Sequence, residues 1–341
     1  MTGSGIYRSS NTSVLAVGAL DAPHIVSSAE IDERLEPTYK RVGLRAGLLE
    51  RLVGIRERRW WGEGFTYADG AAMAGAKVLA ESGIDAAEIG LLVNTSVSRA
   101  YLEPSTAVSV HNALSLSPSC LNFDVANACL GFVNGIQLAV AMIESGQVDY
   151  ALIVNGEDAR AVQEATIARL LRPEVTTSQV VGEFATLTLG SGAAAMVLGR
   201  SDRHPEGHRV IGGMTRASTE HHELCVGDVK MMRTDAKGLL DAGLDLSEAL
   251  WADAAAEFDW ASGMDRYIIH QVSQVHTDAL CTRLGIDPLR VPRTFPTRGN
   301  IGPASVPFTL AGEVGELEPG NRILLMGIGS GLNASCAEIC W

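Results

Sequence analysis

Cys129 lies in the segment Asp124-Val125-Ala126-Asn127-Ala128-Cys129-Leu130-Gly131-Phe132, after a strand-like run, Leu121 to Val125. An amphipathic helix leaves it, with apolar residues at Leu130, Val133, Ile136, Leu138, Val140 and Ile143, and Gly146 is the expected stop. A thiol in such an elbow meets free backbone N–H groups and the positive end of a helix dipole, and both favour the thiolate. The ordinary fate of a cysteine is a small buried hydrophobe. Two distant segments argue for chemistry instead. Tyr267-Ile268-Ile269-His270-Gln271 puts a histidine at the end of an apolar β-like run, and Gly299-Asn300-Ile301-Gly302-Pro303 presents an asparagine in a glycine-flanked turn. A cysteine, a histidine and an asparagine at the tips of elements make a nucleophile with two polar partners.

The elements that must position them alternate. Strands are expected at Ser13–Leu20, Ile89–Val97, Leu121–Val125, Tyr150–Asn155, Ala193–Leu198, Arg209–Arg216, Tyr267–Gln271 and Arg322–Ile328, with helices at Tyr67–Ser82 and through Leu239–Phe258. Such alternation predicts an α/β protein with mixed sheets covered by helices. The series also reads as one motif used twice, Ile89 to Ser96 answering Tyr267 to Ser273 and Tyr150 to Asn155 answering Arg322 to Gly327. The two halves are expected at residues 1–203 and 204–341, the first carrying the cysteine and the second the histidine and asparagine. Residues 158–182 interrupt the rhythm as an excursion over the mouth of the site or a dimer contact.

Composition narrows the function. The chain has 341 residues, 46% of them hydrophobic, enough for a large duplicated core. Its formal charge of −13 makes nucleic acid an unsuitable partner. Arg41, Arg45, Arg51, Arg56, Arg58 and Arg59 nevertheless cluster. They form either a solvated face or a landing site for phosphates such as those of coenzyme A. The cysteines at 120, 129, 225, 281, 336 and 340 show no zinc spacing, so no metal or disulfide framework is expected. With no charged leader and no membrane-length apolar run, the protein is expected to be soluble and cytoplasmic.

The cysteine elbow, Ile269 to Ser273 around His270, Gly299 to Pro307 around Asn300, and Gly327 to Asn333 (GIGSGLN) resemble the thiolase superfamily, in particular its ketosynthase III-like enzymes. The resemblance runs in order along nearly the whole chain. Asp21 to His24, Asn94 to Ala107, Phe123 to Gly135 and Val148 to Asp158 are similar to the OleA-type thiolases, which join two fatty acyl-CoA molecules head to head in olefin biosynthesis. The related subunits that build β-lactones share this pattern.

That resemblance implies a duplicated five-layer fold (αβαβα) working as a homodimer, or as a heterodimer with a paralogue, and possible contact with downstream enzymes of its pathway. It implies Cys129 as the acylated nucleophile, and His270 and Asn300 as the pair that polarises the second thioester. The N–H of Ser330 would complete an oxyanion hole with that of Cys129. Glu103, in Tyr101-Leu102-Glu103-Pro104-Ser105, would be the base that the neighbouring subunit supplies. Coenzyme A would enter only as part of the substrate, with no separate cofactor. One departure concerns nucleotide recognition: no tryptophan precedes Gly54 to Arg58, and Trp60 and Trp61 follow it instead.

Condensing two thioesters needs an acyl electrophile, donors for the negative charge on the attacked carbonyl, and a nucleophilic α-carbon. A decarboxylating enzyme obtains the α-carbanion by losing CO2, whereas a non-decarboxylating one needs a base. Glu103 is the residue that separates the expected Claisen condensation from the alternative, a decarboxylative 3-oxoacyl-carrier synthase III using a malonyl donor. No other carboxylate is evident near these motifs. His221, His222 and His276 are read as surface or helix residues without a role. A papain-like hydrolase has the same Cys, His, Asn order, but its C-G-S/A-C-W/Y signature is absent. A non-catalytic subunit is disfavoured by the presence of Cys129.

Overall fold

The computed structural model describes residues 5–228, 231–261 and 263–341. Ten strands join in one mixed sheet that reads as two similar halves. In the first half, Gly192–Arg200 runs antiparallel to both Thr12–Asp21 and Tyr150–Glu157, and Leu91–Asn94 lies parallel to Tyr150–Glu157 and to Leu121–Asp124. In the second half, Asn333–Cys340 runs antiparallel to both His208–Ala217 and Arg322–Gly329, which is parallel to Arg266–Ile269. The order antiparallel, antiparallel, parallel recurs, and the segments that correspond are those matched in sequence. Ile6–Arg8 pairs with His208–Ala217, so a strand from the start of the chain completes the second half. The halves are stitched by a short pairing, Ser13 with Arg209 and Val14 with His208.

Strand alternation explains the layers, because successive side chains point to opposite faces. Leu91, Val93, Ile153, Met196, Ile323 and Leu325 turn toward a central core shared by both halves. That core is filled by the helices Gly131–Glu144 and Ser305–Glu313, through residues such as Phe132, Ile136, Val306 and Leu310. The alternate residues Leu92, Leu152 and Val197 face outward onto Tyr67–Ser82 and Thr106–Ala113. Leu324 and Met326 face Ala236–Ala254 and Gln274–Leu284 on the other side. The result is the helix, sheet, helix, sheet, helix stack that the resemblance implies.

Tyr67–Ser82 spans the predicted residues because both ends are encoded: a Thr66–Asp69 capping box opens it, and Gly83 in the left-handed region closes it. Other elements shift by a few residues. The expected strand from Ile89 to Val97 shortens to Leu91–Asn94 and continues as an irregular segment to Ser105. Residues 158–182 hold two helices, Arg160–Leu170 and Thr177–Glu183, packed through Ile167, Leu170 and Val180 onto Ser28–Val42.

Candidate active site

The nucleophile elbow is tight. Leu121–Asp124 ends, the chain turns through Asn127 and Ala128, and the helix begins at Gly131. Ala128 adopts a φ of 44°, a left-handed conformation that costs a non-glycine residue free energy and marks a turn held by its surroundings. A Cβ at Gly131 would lie 3.0 Å from the Thr95 carbonyl oxygen, so only glycine brings the helix start this close to the neighbouring strand.

Electrostatically the elbow departs from the sequence expectation. Burial pushes the Cys129 thiol up to about 12, the nearby Glu157 and Cys225 push the same way, and the N–H of Cys129 offsets only part. The contributions that raise it exceed that of the N–H, which favours the thiol at rest.

Ser330 comes to the elbow on the hairpin of Arg322–Gly329 and Asn333–Cys340. Gly329 packs so closely that a Cβ there would lie 2.7 Å from the Asn127 carbonyl oxygen and 3.3 Å from the Leu130 nitrogen. Asn333 Nδ2 donates to Asn127 Oδ1 at 3.3 Å, a second tie between tip and elbow.

His270 extends its strand by donating its N–H to the Met326 carbonyl at 2.8 Å. Its side chain is buried, and burial, with His276 adding, lowers its pKa to about 3. It is neutral at physiological pH and suited to hydrogen bonding. His276 lies on the helix Gln274–Leu284, one of the two expected placements; burial lowers it to about 4, and it lines a cavity of about 20 Å³ together with His270, Met326 and Cys336. Among the described residues, Nδ1 of each histidine is buried with no hydrogen-bond partner.

Asn300 is held by its backbone, its N–H donating to Thr188 and its carbonyl accepting from Gly190, each at 2.9 Å. Its side-chain Oδ1 accepts the Gly302 N–H at 2.9 Å. That contact fixes the amide and leaves its two N–H donors for a ligand oxygen. Gly302, at φ 53°, places the turn against Glu157, whose Cδ would lie 3.6 Å from a Cβ there. Elbow, hairpin tip, His270 strand end and Asn300 turn are thus linked by successive contacts.

Glu103 does not join this cluster. It is exposed, at the end of a segment whose tip also exposes Tyr101 and Leu102, the latter 94% accessible. Within the described residues its carboxylate makes no hydrogen bond or ion pair. A carboxylate within electrostatic reach of Cys129 in the same chain is Glu157, which corrects the expectation that these motifs hold no other. Burial lifts it to about 7 against the hydrogen bonds it accepts. Its signal in sequence was an acid closing the apolar run of Tyr150–Glu157, every residue of which is buried.

The arginine run divides. Arg58 is fully buried, its guanidinium donating to the carbonyls of Val26 and Leu187 and to Ser28 Oγ, so it holds the fold together. Arg41 donates to the Arg172 carbonyl, and Arg59 pairs with Glu57. Arg45, Arg51 and Arg56 remain exposed. Trp60 and Trp61 are buried and donate to Gln163 and to the Glu157 carbonyl, so neither offers a face to a nucleotide.

Comparison with known proteins agrees with this geometry. The family 3-oxoacyl-[acyl-carrier-protein] synthase III matches residues 123–217, and its C-terminal region matches residues 260–341. An acyl-CoA:acyl-CoA alkyltransferase of Xanthomonas campestris is 47% identical, covering 97% of this chain and 99% of its own. One from Shewanella oneidensis is 36% identical over 94% of this chain and 96% of its own. A beta-ketoacyl-[acyl-carrier-protein] synthase III of Rhodospirillum rubrum is 30% identical over 92% of this chain and 94% of its own. Xanthomonas campestris OleA, crystallised as a cysteine-to-serine variant with lauric acid and lauroyl-CoA, superposes with a TM-score of 0.95 at 46% identity, covering 97% of this chain and 99% of its own. The chain belongs to the thiolase superfamily, in its ketosynthase III-like branch, alongside the acyl-CoA:acyl-CoA alkyltransferases.

Proposed function

We propose that this protein joins two fatty acyl-CoA thioesters by a non-decarboxylative, head-to-head Claisen condensation through an acyl-enzyme on Cys129. The observation that carries the reading is the Asn300 amide, fixed by Gly302 with its donors left for a ligand, in a protein whose His270 is buried and neutral. Together they offer hydrogen bonds to one thioester oxygen without supplying a competing charge. The 47% identity to an acyl-CoA:acyl-CoA alkyltransferase, against 30% to a beta-ketoacyl synthase III, favours two acyl-CoA substrates over a malonyl donor.

In the first step the Cys129 sulfur attacks the acyl carbonyl. A C–S bond forms, the thiol proton passes to solvent or to the leaving thiolate, and coenzyme A departs. The N–H groups of Cys129 and Ser330 take the oxyanion, a donor pair of which each member is typically worth about 3–4 kcal/mol. In the second step a carboxylate removes the α-proton of a second acyl-CoA while His270 and Asn300 hold the enolate oxygen. The α-carbon then attacks the acyl-cysteine, a C–C bond forms, the C–S bond breaks, and Cys129 regains a proton. The product is a β-keto thioester.

We assign the base to Glu103 of a second copy. The exposed Tyr101 and Leu102 beside it suit burial in another chain, and among the described residues Leu121–Asp124 is an edge strand of the sheet, reached at Asp124 by Arg99 of the same segment. Solved structures of the Xanthomonas relative include replacements of a cysteine, a histidine and a glutamate, the residue types assigned here. Arg45, Arg51 and Arg56 are the candidates for coenzyme A phosphates. No helix among the described residues is long and apolar enough to cross a membrane, and we place the reaction in the cytoplasm.

The test is mass spectrometry. Incubation with lauroyl-CoA should add one acyl group to the protein and none to Cys129→Ala. A mixture of acyl-CoAs should give homo- and hetero-condensed β-keto products without CO2. Product formed only with malonyl-CoA, with CO2 released, would establish the decarboxylative alternative.

A further inference from the structure

Glu157 occupies a position for which the reaction above has no use. It closes the strand Tyr150–Glu157, buried and near enough to its own chain's Cys129 to raise that thiol, and its carboxylate is shielded from bulk water. Its oxygens accept three hydrogen bonds from one short stretch: the Val97 N–H at 2.8 Å, the Ser98 N–H at 3.0 Å and the Ser98 hydroxyl at 2.7 Å. Ser98 Oγ in turn accepts the Asp158 N–H at 2.9 Å, so strand end and segment are laced together twice. Val97 and Ser98 lie near the start of the irregular segment, residues 95–105, that carries Glu103 and Pro104. Farther along, Ala100 N–H donates to the Tyr67 hydroxyl, and Arg99 reaches Asp124 at 3.5 Å. Beyond these ties Tyr101 to Pro104 stand free and exposed. The segment is rigid at its root and projecting at its tip.

A buried carboxylate is costly unless its lone pairs are filled, and here donors from the segment fill them. The same three bonds fix where the segment leaves the sheet. We infer that Glu157 is a positioning residue acting across the dimer: seated near the nucleophile of one subunit, it clamps the root of the 97–104 segment and so aims Glu103 into the other subunit's site. The inference rests on the reading that Glu103 serves the partner. It adds that each subunit's site is built around the residue that sets the other's base.

Mixed dimers with one working site test this. Two differently tagged chains are co-expressed, one carrying Cys129→Ala so that only the other is acylated. Glu157→Gln is then placed either on the Cys129→Ala chain, which donates Glu103 to the working site, or on the acylated chain. The substitution on the donating chain should slow condensation on the order of 10- to 100-fold, as for a base misplaced by about an ångström. Acylation of the partner's cysteine by lauroyl-CoA should keep its rate. Ser98→Ala on the donating chain removes one of the three donors, keeps the carboxylate, and should give a smaller loss in the same arrangement. A loss that appears only when Glu157→Gln shares a chain with the acylated cysteine, or in neither arrangement, overturns the clamp. The same two dimers carrying Glu103→Gln test the underlying reading separately: a loss confined to the acylated chain would show that Glu103 works within its own subunit.

Discussion

Replacing Gly329 by alanine tests the oxyanion hole without touching a reacting group. The new Cβ would lie 2.7 Å from the Asn127 carbonyl oxygen, with the Leu130 Cβ at 3.2 Å and the Leu130 nitrogen at 3.3 Å. The first and last of these belong to backbone, which cannot swing aside as a long side chain can. Ordinary contacts lie near 3.5 Å or beyond, so hairpin and elbow must part by roughly half an ångström. Ser330 is the next residue, and its N–H moves with the strand. Full loss of one oxyanion donor costs about 10²–10³-fold in kcat, so a displaced donor should cost about 10- to 100-fold, with KM for acyl-CoA little changed. Coenzyme A release followed by a thiol reagent in single-turnover mode reads the acylation step, and product formation reads the second. Gly312→Ala is the control: nothing lies within 4 Å of its Cβ, and a helical alanine should leave kcat alone while adding about 0.4–1 kcal/mol of stability. If folded Gly329→Ala protein acylates and condenses at the parental rate, the Ser330 N–H is not a member of the hole.

Three further outcomes are expected. Because burial pushes the Cys129 thiol up to about 12, alkylation of the free enzyme by iodoacetamide should rise about tenfold per pH unit from pH 7 to 10; a plateau near the ordinary thiol range would show that the helix dipole wins after all. His270 is held to about 3, so it carries no proton to lose between pH 5 and 8, and the condensation profile should lack an inflection near 6.5 that depends on it. The variant Glu103→Gln should acylate normally and condense about 10²–10⁴-fold more slowly, with partial recovery on mixing with Cys129→Ala subunits; equal loss of both steps would remove it as the base of the second.

The repeat and the site motifs were legible because they are local. An apolar run ending in His270, or a glycine-flanked Asn300, announces itself within a few residues. The helix Tyr67–Ser82 could be read to both ends because its caps are side chains in the sequence. What stayed hidden depends on tertiary pairing. Glu157 finds its donors about sixty residues away, and only the parallel pairing of Leu91–Asn94 with Tyr150–Glu157 brings them together. Arg58 was legible in principle. The strand Glu57–Trp60 alternates, with Arg58 and Trp60 buried and their neighbours partly exposed, but a cluster of arginines masked that period. For Cys129 the reading of the elbow counted the groups that stabilise a thiolate and left out the partial exclusion of water that opposes them.

That exclusion gives the resting site its character. With thiol protonated and imidazole neutral, no group among Cys129, His270 and Asn300 carries charge at physiological pH. Glu157 shows what burial does to a carboxylate: hydrogen bonds from Val97, Ser98 and Asn155 oppose the desolvation, yet burial still lifts it to about 7. An acid buried there without those donors would be neutral far above that range, and a neutral acid removes no α-proton. A carboxylate that is to act as base in such a pocket therefore needs donors or a cation to hold it ionised.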